Sequence, residues 1–376
     1  MTRILYLSHC GSSIGGGERQ LLYLVTHLDT HRYQPVVVCP DDGAFAAELR
    51  DSGISTVILP LPAWRKAKSL LTRRIAAHRL ARLAKQEGVA LAHTSDSWFN
   101  PYLWLMKKQL QLPVVSHVRN VIDARRVRKY RFHRMDRMIA ISEQTKAPLV
   151  EGGIASEKIN VILNCVDLSV FEMGANALNP LRQDYALRRF LVGIVGRIEP
   201  FKRQVEFVRI AAKIVQHNKD ISFLVIGGVE PHPGHIAYER RLRQLISELC
   251  LESHVTLTGH RDDMPAVMKG LDVLVTLSAG SVIGEAMAAS KPVIATRIGS
   301  AGEMVVDGTT GWLLPEDAID QVAERILHLS QDRCLCEKMG QAGRTRAEQL
   351  LGTEAHAEKV QAIYADLLEQ LRQTTQ

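Results

Sequence analysis

One pattern constrains this chain more than any other. Apolar runs of strand length alternate with stretches of helical spacing, the alternation breaks once, and then it begins again. Arg3–Ser8 reads as a strand, and Glu18–Leu28 as a helix with Leu21, Leu22, Val25 and Leu28 on one side. Gln34–Cys39 reads as a buried strand and Phe45–Ser52 as a helix, with shorter strands expected around 57–59, 90–94, 114–117 and 137–141. After a polar stretch at 176–189, taken as a hinge, the pattern restarts. Phe190–Gly196 and Ile221–Gly227 read as strands, Gln204–His217 and Ala237–Leu249 as helices. Further strands are expected at Val255–Thr258, Val273–Leu277 and Pro292–Ala295, and one long amphipathic helix at Thr353–Leu371. Strands that alternate with helices pair in parallel and carry the helices on both faces of the sheet. The expectation is an α/β protein of two Rossmann-like, doubly wound parallel-sheet domains facing a central cleft. They span 1–175 and 176–352, with 353–376 as a C-terminal helix. Ligands of such sheets bind beyond the C-terminal ends of the strands, so the loops that follow strands are where chemistry is expected.

A length of 376 residues suits two domains of ordinary size, and 46% apolar with 23% charged residues suits a globular chain. No apolar run approaches the roughly 18 residues a membrane span needs. The first residues have neither the apolar core nor the cleavage site of a signal peptide, so a cytoplasmic protein is expected. The six cysteines are scattered without a Cys-x-x-Cys pair, which argues for reduced thiols, and Cys334 and Cys336 are spaced poorly for a metal. Charge is uneven. Residues 1–182 hold 25 Lys and Arg against 15 Asp and Glu; the rest hold 22 against 25. Two runs dominate, Arg65 to Lys85 and Arg125 to Arg137. They are either solvated helix faces or a surface for anionic lipid or an anionic acceptor. In the first run Leu70, Leu71, Ile75, Leu80 and Leu83 form an apolar stripe with Trp64 at its entry. Aromatics are not interleaved with the basic residues, so no nucleic-acid partner is expected.

Three segments carry the chemistry. Ser278-Ala-Gly-Ser-Val-Ile-Gly-Glu285 follows a buried strand and opens a helix, aiming backbone N–H groups at an anion and placing a carboxylate one turn further in. Gly196-Arg-Ile-Glu-Pro-Phe-Lys202 follows the first strand of the second half. Arg197 and Lys202 either converge on one pyrophosphate, as a fork and a point charge, or are two surface cations. Gly15-Gly-Gly-Glu18 opens the first helix. Its glycines either bring backbone close to a ligand or serve a tight turn. Asp41 and Asp42 at the end of the second strand mimic a dinucleotide binder's ribose acid, but the spaced Gly-x-Gly-x-x-Gly is absent.

With these segments in order, the chain resembles the retaining, nucleotide-sugar-dependent glycosyltransferases of family four, with the GT-B fold. The resemblance rests on Gly15-Gly-Gly-Glu-Arg19, Asn164-Cys-Val-Asp167, Gly196-Arg197 with Lys202, Gly284-Glu-Ala-Met-Ala288 with Pro292-Val-Ile-Ala295, and Gly299, Glu303, Asp307-Gly308 and Gly311. It covers nearly the whole chain. It implies that the second domain holds the donor, the first binds the acceptor, and the C-terminal helix returns to the first domain. Arg197 and Lys202 would then hold the diphosphate and Glu285 the ribose hydroxyls. The backbone of Gly280, Ser281 and Val282 would cradle the distal phosphate, which Gly16 and Gly17 approach from the first domain. His117 matches a histidine that in this family lies near the donor sugar or the reacting bond, which makes it a catalytic candidate; read alone, it is equally a strand-end hydrogen-bonding residue. Glu18 either touches the acceptor or favours the helix start. The leaving diphosphate helps deprotonate the acceptor in this family's usual mechanism, and with no Asp-x-Asp motif no obligatory metal is expected.

Two departures stand out. The family usually places a glutamate eight residues before the position of Glu285; Leu277 stands there, and counted from Asp272 the loop is about four residues short. Cys165 replaces the usual glycine of Asn-Gly-Val-Asp, with an effect expected only on the linker turn. The resulting expectation is a retaining transferase taking sugar from a UDP- or GDP-linked donor to a lipid-linked or cell-envelope glycan. It would be peripheral on an anionic membrane through the basic first domain. A sugar-nucleotide epimerase and a non-catalytic, nucleotide-binding partner subunit are the rivals.

Overall fold

The structure is a computed structural model, and it describes residues 1–64, 70–172, 181 and 184–375. The chain divides into two compact units, Met1–Cys165 with Thr353–Gln376, and Val166–Gly352. Half of the polar stretch taken as a hinge (176–180 and 182–183) lies outside the described residues, as do Arg65, Lys66 and Lys68 of the first basic run.

In the first unit, β1 (Thr2–Leu7), β2 (Tyr33–Cys39), β3 (Ser55–Ile58), β4 (Val89–Thr94), β5 (Val114–Val118), β6 (Arg137–Ala140) and β7 (Ile159–Val161) form one sheet. Its order is β3-β2-β1-β4-β5-β6-β7, and every pair is parallel. Alternation along each strand divides the core in two. Leu5, Leu7, Val36, Val38, Val114 and Met138 face one side, with Leu80, Tyr102 and Met106 of helices Leu70–Gln86 and Asn100–Leu110. Ile4, Tyr6, Val37, Leu91, Val115 and Ile139 face the other, under helices Gly16–Thr26 and Thr353–Thr375. The last helix contributes Ala357, Val360, Ile363, Tyr364 and Leu367, a stripe at helical spacing. Each large side chain buried this way stabilises by about 1.5–3 kcal/mol. That is sizeable beside a net folding stability of roughly 5–15 kcal/mol, so the last helix is an integral part of this unit.

In the second unit, β8 (Phe190–Val195), β9 (Ile221–Ile226), β10 (Val255–Gly259), β11 (Val273–Thr276), β12 (Val293–Thr296) and β13 (Gly311–Leu314) form a parallel sheet ordered β10-β9-β8-β11-β12-β13. Both sheets reverse their order once, between β1 and β4 and between β8 and β11. In open α/β sheets that switch point is where loops diverge and a crevice opens.

Three sequence expectations change. The stripe on helix Leu70–Gln86 turns Ala76, Ala77, Leu80, Ala81 and Ala84 inward, while Ile75 is 47% exposed and points away from it. Small residues let that helix approach the sheet closely, so the buried face is richer in alanine than the leucine count suggests. Trp64 does not stand free: its ring meets Tyr102 edge-on at 5.2 Å and carries the Arg73 guanidinium 4.7 Å from its centroid. Cys165 does more than turn a linker. It is 1% exposed, its N–H donates to Gln20 Oε1 at 2.8 Å, and its carbonyl accepts from Gln20 Nε2 at 2.7 Å. The motif is thereby pinned to helix Gly16–Thr26. All six cysteines are free thiols. Among the described residues no helix is long and apolar enough to cross a membrane.

Candidate active site

Six of the ten candidate residues fall in the second unit, on loops beside its switch point. Arg197 and Lys202 follow β8; Gly280, Ser281, Val282 and Glu285 follow β11. The loop after β8 is pressed against its neighbour: a Cβ on Gly227, which has φ +147, would come within 2.1 Å of Gly196 O. Only glycine allows that approach. Lys202 closes a short turn, Pro200–Lys202, and reaches across to the β11 loop, where Nζ donates to Ala279 O at 2.8 Å. A Cβ placed on Gly280 would lie 3.5 Å from the same Nζ. Lys202 and the 279–280 backbone thus share one spot. Burial draws the Lys202 ammonium below the usual lysine range, Glu199 opposes this, and Arg197 adds to it. One of the three Nζ donors is spent on Ala279 O.

The loop after β12 fixes that spot from the other side. Gly299 has φ +65, and a Cβ there would come 2.6 Å from the Ala279 Cβ. Ser281 caps helix Val282–Ala288 without a side-chain hydrogen bond to its first turn, and half-buried Glu285 is the fourth residue of that helix.

Arg197 differs from the expectation of a free phosphate fork. Its side chain is 58% exposed, and its guanidinium donates to Glu230 Oε1 at 2.5 Å and more loosely to Glu199 Oε1 at 3.4 Å. The Glu230 bond is the chief reason its pKa is raised. Any phosphate reaching Arg197 competes with Glu230 for it.

Leu277 clarifies the missing glutamate. It is 2% exposed and belongs to the core beneath β11. Only five residues, 277–281, join the end of β11 to the helix that carries Glu285. Leu277 therefore faces the apolar core of this unit and presents no polar group to the loop.

Gly16, Gly17, Glu18 and His117 lie in the first unit. Glu18 Oε2 accepts the Gly15 N–H at 3.1 Å, which is the carboxylate half of a capping box. A Cβ on Gly17 would lie 3.8 Å from Arg119 Cδ, and Arg119 NH2 donates to His117 Nδ1 at 3.5 Å. The helix start and His117 are therefore linked through Arg119, which the sequence reading did not single out. Arg119 also donates through Nε to Ser95 O at 3.3 Å and through NH1 to Asn164 Oδ1 at 2.8 Å.

His117 is 1% exposed and sits in a column of rings. His93 stacks on it at 5.5 Å and 6°, and His356 at 6.3 Å and 17°. His93 Nδ1 bonds Tyr364 OH at 2.5 Å, and His356 Nδ1 donates to Leu163 O at 2.9 Å. Burial is the main reason all three rings stay neutral, with Arg119 the next. His93 falls to about 3, His356 to about 4, and His117 well below the usual range. A period-two signal existed for two of them: Leu91 and His93, like Val115 and His117, alternate onto one sheet face. His356 lies on the apolar stripe of its helix. Nothing local in the sequence pairs the three. Among the described residues no cluster of three or more His, Cys, Asp or Glu is arranged to hold a metal ion.

Comparison with known proteins agrees with this architecture. Residues 14–170 match the family Glycosyltransferase Family 4, and residues 181–346 match Glycosyl transferases group 1. The capsular polysaccharide biosynthesis glycosyltransferase CapM of Staphylococcus aureus is 28% identical over 242 residues, 62% of each chain. The lipopolysaccharide core biosynthesis mannosyltransferase LpsB of Rhizobium meliloti is 26% identical over 64% of this chain and 68% of its own. The matched region is 62% of CapM's length and 46% of that of a trehalose synthase from Thermococcus litoralis. In fold the chain is similar to Anabaena HepE in complex with UDP, with a TM-score of 0.85, 22% identity, and coverage of 97% of this chain and 100% of HepE. Sucrose-phosphate synthase from Thermosynechococcus elongatus gives 0.82 at 21% identity, over 98% and 100%. With one family match on each unit and the whole fold shared, this chain belongs to the family-four glycosyltransferases of the GT-B fold.

Proposed function

We propose that this protein transfers a hexosyl group, with retention, from a UDP- or GDP-linked sugar to a glycan or lipid-linked acceptor. The observation that carries the reading is the hydrogen bond from Lys202 Nζ to Ala279 O, beside Gly280, at the β8/β11 switch point. A partly desolvated ammonium with donors to spare, beside an uncapped helix start, suits a diphosphate. Developing charge on a leaving diphosphate is what such fixed donors stabilise. Glu285 is assigned to the ribose hydroxyls, and Gly16 and Gly17 to the distal phosphate. His117 is assigned to the transferred sugar. Protein cations hold the diphosphate in this reading, and no obligatory metal is included. HepE, crystallised with UDP and with UDP-glucose, supports UDP as the first donor to try. CapM and LpsB, named for capsular polysaccharide and lipopolysaccharide core, support a cell-envelope acceptor.

The test is a thermal-shift panel of nucleoside diphosphates and their sugars, followed by transfer of labelled sugar. A ligand that binds only the folded state raises the melting temperature. If no nucleotide does so, the reading fails at its root. The five-residue loop after β11 favours one rival, a nucleotide-binding subunit that does not transfer sugar. Release or transfer of labelled sugar eliminates it.

Membrane association belongs to the same proposal. Arg125, Arg126, Arg128, Lys129 and Arg134 are exposed, as are Arg74, Arg79, Arg82 and Lys85, and Val121 is 57% exposed. Basic residues near an anionic surface contribute about 1 kcal/mol each. Sedimentation with anionic but not neutral vesicles is expected, weakening as salt rises.

A further inference from the structure

We propose that Arg119 is a positioning residue for His117: by donating to Nδ1 it fixes the imidazole as the Nε2–H tautomer, so that His117 offers a hydrogen-bond donor, and not a base, to an oxygen of the bound glycosyl substrate. The assignment of that oxygen rests on the glycosyl-transfer reading above; the tautomer does not.

The argument begins with what a guanidinium can do. Arginine carries N–H donors and no acceptor. A bond from Arg119 NH2 to His117 Nδ1 therefore requires a lone pair on Nδ1, and in a neutral ring the single proton then sits on Nε2. The bond is long at 3.5 Å, yet the opposite tautomer would set an N–H against an N–H. Arg119 cannot easily turn away, because Ser95 O and Asn164 Oδ1 hold its other nitrogens. His117 is confined as well, by the near-parallel rings of His93 at 5.5 Å and His356 at 6.3 Å.

The charge state follows from the same neighbours. From β4 comes His93, engaged by Tyr364; from the C-terminal helix comes His356, engaged by Leu163 O. Arg119 adds a cation at the end of β5, and burial lowers its own pKa to about 10, still well above neutrality. Glu18 on helix Gly16–Thr26, Asp96 after β4 and Cys165 after β7 act on Arg119 in the direction that keeps it charged. A second positive charge on His117 would sit against that guanidinium with no carboxylate bonded to the ring. The ring stays neutral on burial and charge together.

What remains is the second ring nitrogen of His117. His117 Nε2 is buried and has no hydrogen-bond partner. Buried polar groups are nearly always paired, and an unpaired one calls for an explanation. A ligand oxygen supplies it. His93 Nε2 and His356 Nε2 are also unpaired, but of the three rings only His117 is bonded to Arg119, which packs against the start of helix Gly16–Thr26.

The test reads the proton directly. Long-range ¹H–¹⁵N spectra of the full chain, with His117 identified by loss of its signals in His117→Gln, are expected to show a protonated Nε2, a bare Nδ1 and no titration between pH 5.5 and 8. In Arg119→Met the same ring is expected to lose this preference or to titrate. An Nδ1–H ring in the wild-type protein overturns the proposal, whether or not Arg119→Met folds. The functional arm uses shape. In His117→Gln the amide N–H₂ falls near the place of Nε2; in His117→Asn it falls near Nδ1. With equal nucleotide thermal shifts, His117→Gln is expected to retain at least 10-fold more sugar transfer than His117→Asn. The reverse order overturns the donor role. If no variant and no wild-type sample transfers sugar, the glycosyl-transfer reading fails, and the spectra still decide the tautomer.

Discussion

The two units share one strand order over six strands, and they place His117 on the one hand and Arg197 and Lys202 on the other in opposite physical settings. In the first, His117 is held in a column of neutral, buried rings with an unpaired Nε2 and a guanidinium at its edge. In the second, Arg197 is largely exposed and already bound to carboxylates, and Lys202 is half-buried on a backbone carbonyl. The first setting is dry and rigid, which suits hydrogen bonds that must be correctly aimed before the reaction starts. The second is wet and charged, which suits capture and release of a diphosphate. The difference teaches that, on the proposed reading, binding falls to the second unit and aiming to the first.

Four experiments can break or sharpen that contrast. The largest effect is expected at His117. His117→Ala should lower sugar transfer about 100-fold, the scale of losing one aimed donor, and leave nucleotide binding by calorimetry within a factor of three. Loss of nucleotide binding in that variant would break the separation. Next, Lys202→Met should weaken nucleoside diphosphate binding about 10- to 100-fold, the scale of one hydrogen bond to a charged group. An unchanged dissociation constant removes Lys202 from the site.

The third concerns pH. The folded-state values of His93, about 3, and His356, about 4, lie below the value near 6.5 that free histidine has. Between these limits the unfolded chain binds more protons. Stability is therefore fully present above about pH 6.5 and is lost as pH falls toward 4 and then 3. A fall in melting temperature of about 4 °C or more from pH 7 to pH 5 is expected, and His356→Met should reduce it. A flat curve would mean that the ring column does not govern the first unit. The smallest effect belongs to Glu230. Its pair with Arg197 is exposed and of little stabilising value, so Glu230→Gln should tighten nucleotide binding only two- to threefold, more at low salt. Weaker binding would show that Glu230 orients Arg197 and does not compete for it.

Much of the fold was legible because parallel strands buried on both faces are written as unbroken apolar runs, such as Val36-Val-Val38 and Ile221–Ile226. Two strands escaped. β7 is three residues long with exposed Asn160 at its centre, and β13 is four residues opening on Gly311. Edge strands this short carry too few alternations to read. The placement of the candidate loop after β8 was legible because glycine, Arg197 and Lys202 sit at fixed offsets after a strand, where local geometry determines where they go. His93, His356 and Glu230 were not, because each acts on a residue of another element; Arg119 follows His117 by two residues, but the groups that hold it, Ser95 O and Asn164 Oδ1, come from other elements.

The sequence by itself determined the class of fold, the strand-end position of the charged loops and the family to which they belong. These follow from local periodicity and from backbone limits at a few glycines. Only the tertiary structure decided that Leu277 is a core residue, that Glu230 holds Arg197, and that three histidines from β4, β5 and the last helix form one neutral column. Side chains from distant elements meet through packing, and both desolvation and hydrogen-bond direction depend on those meetings, which no spacing along the chain records.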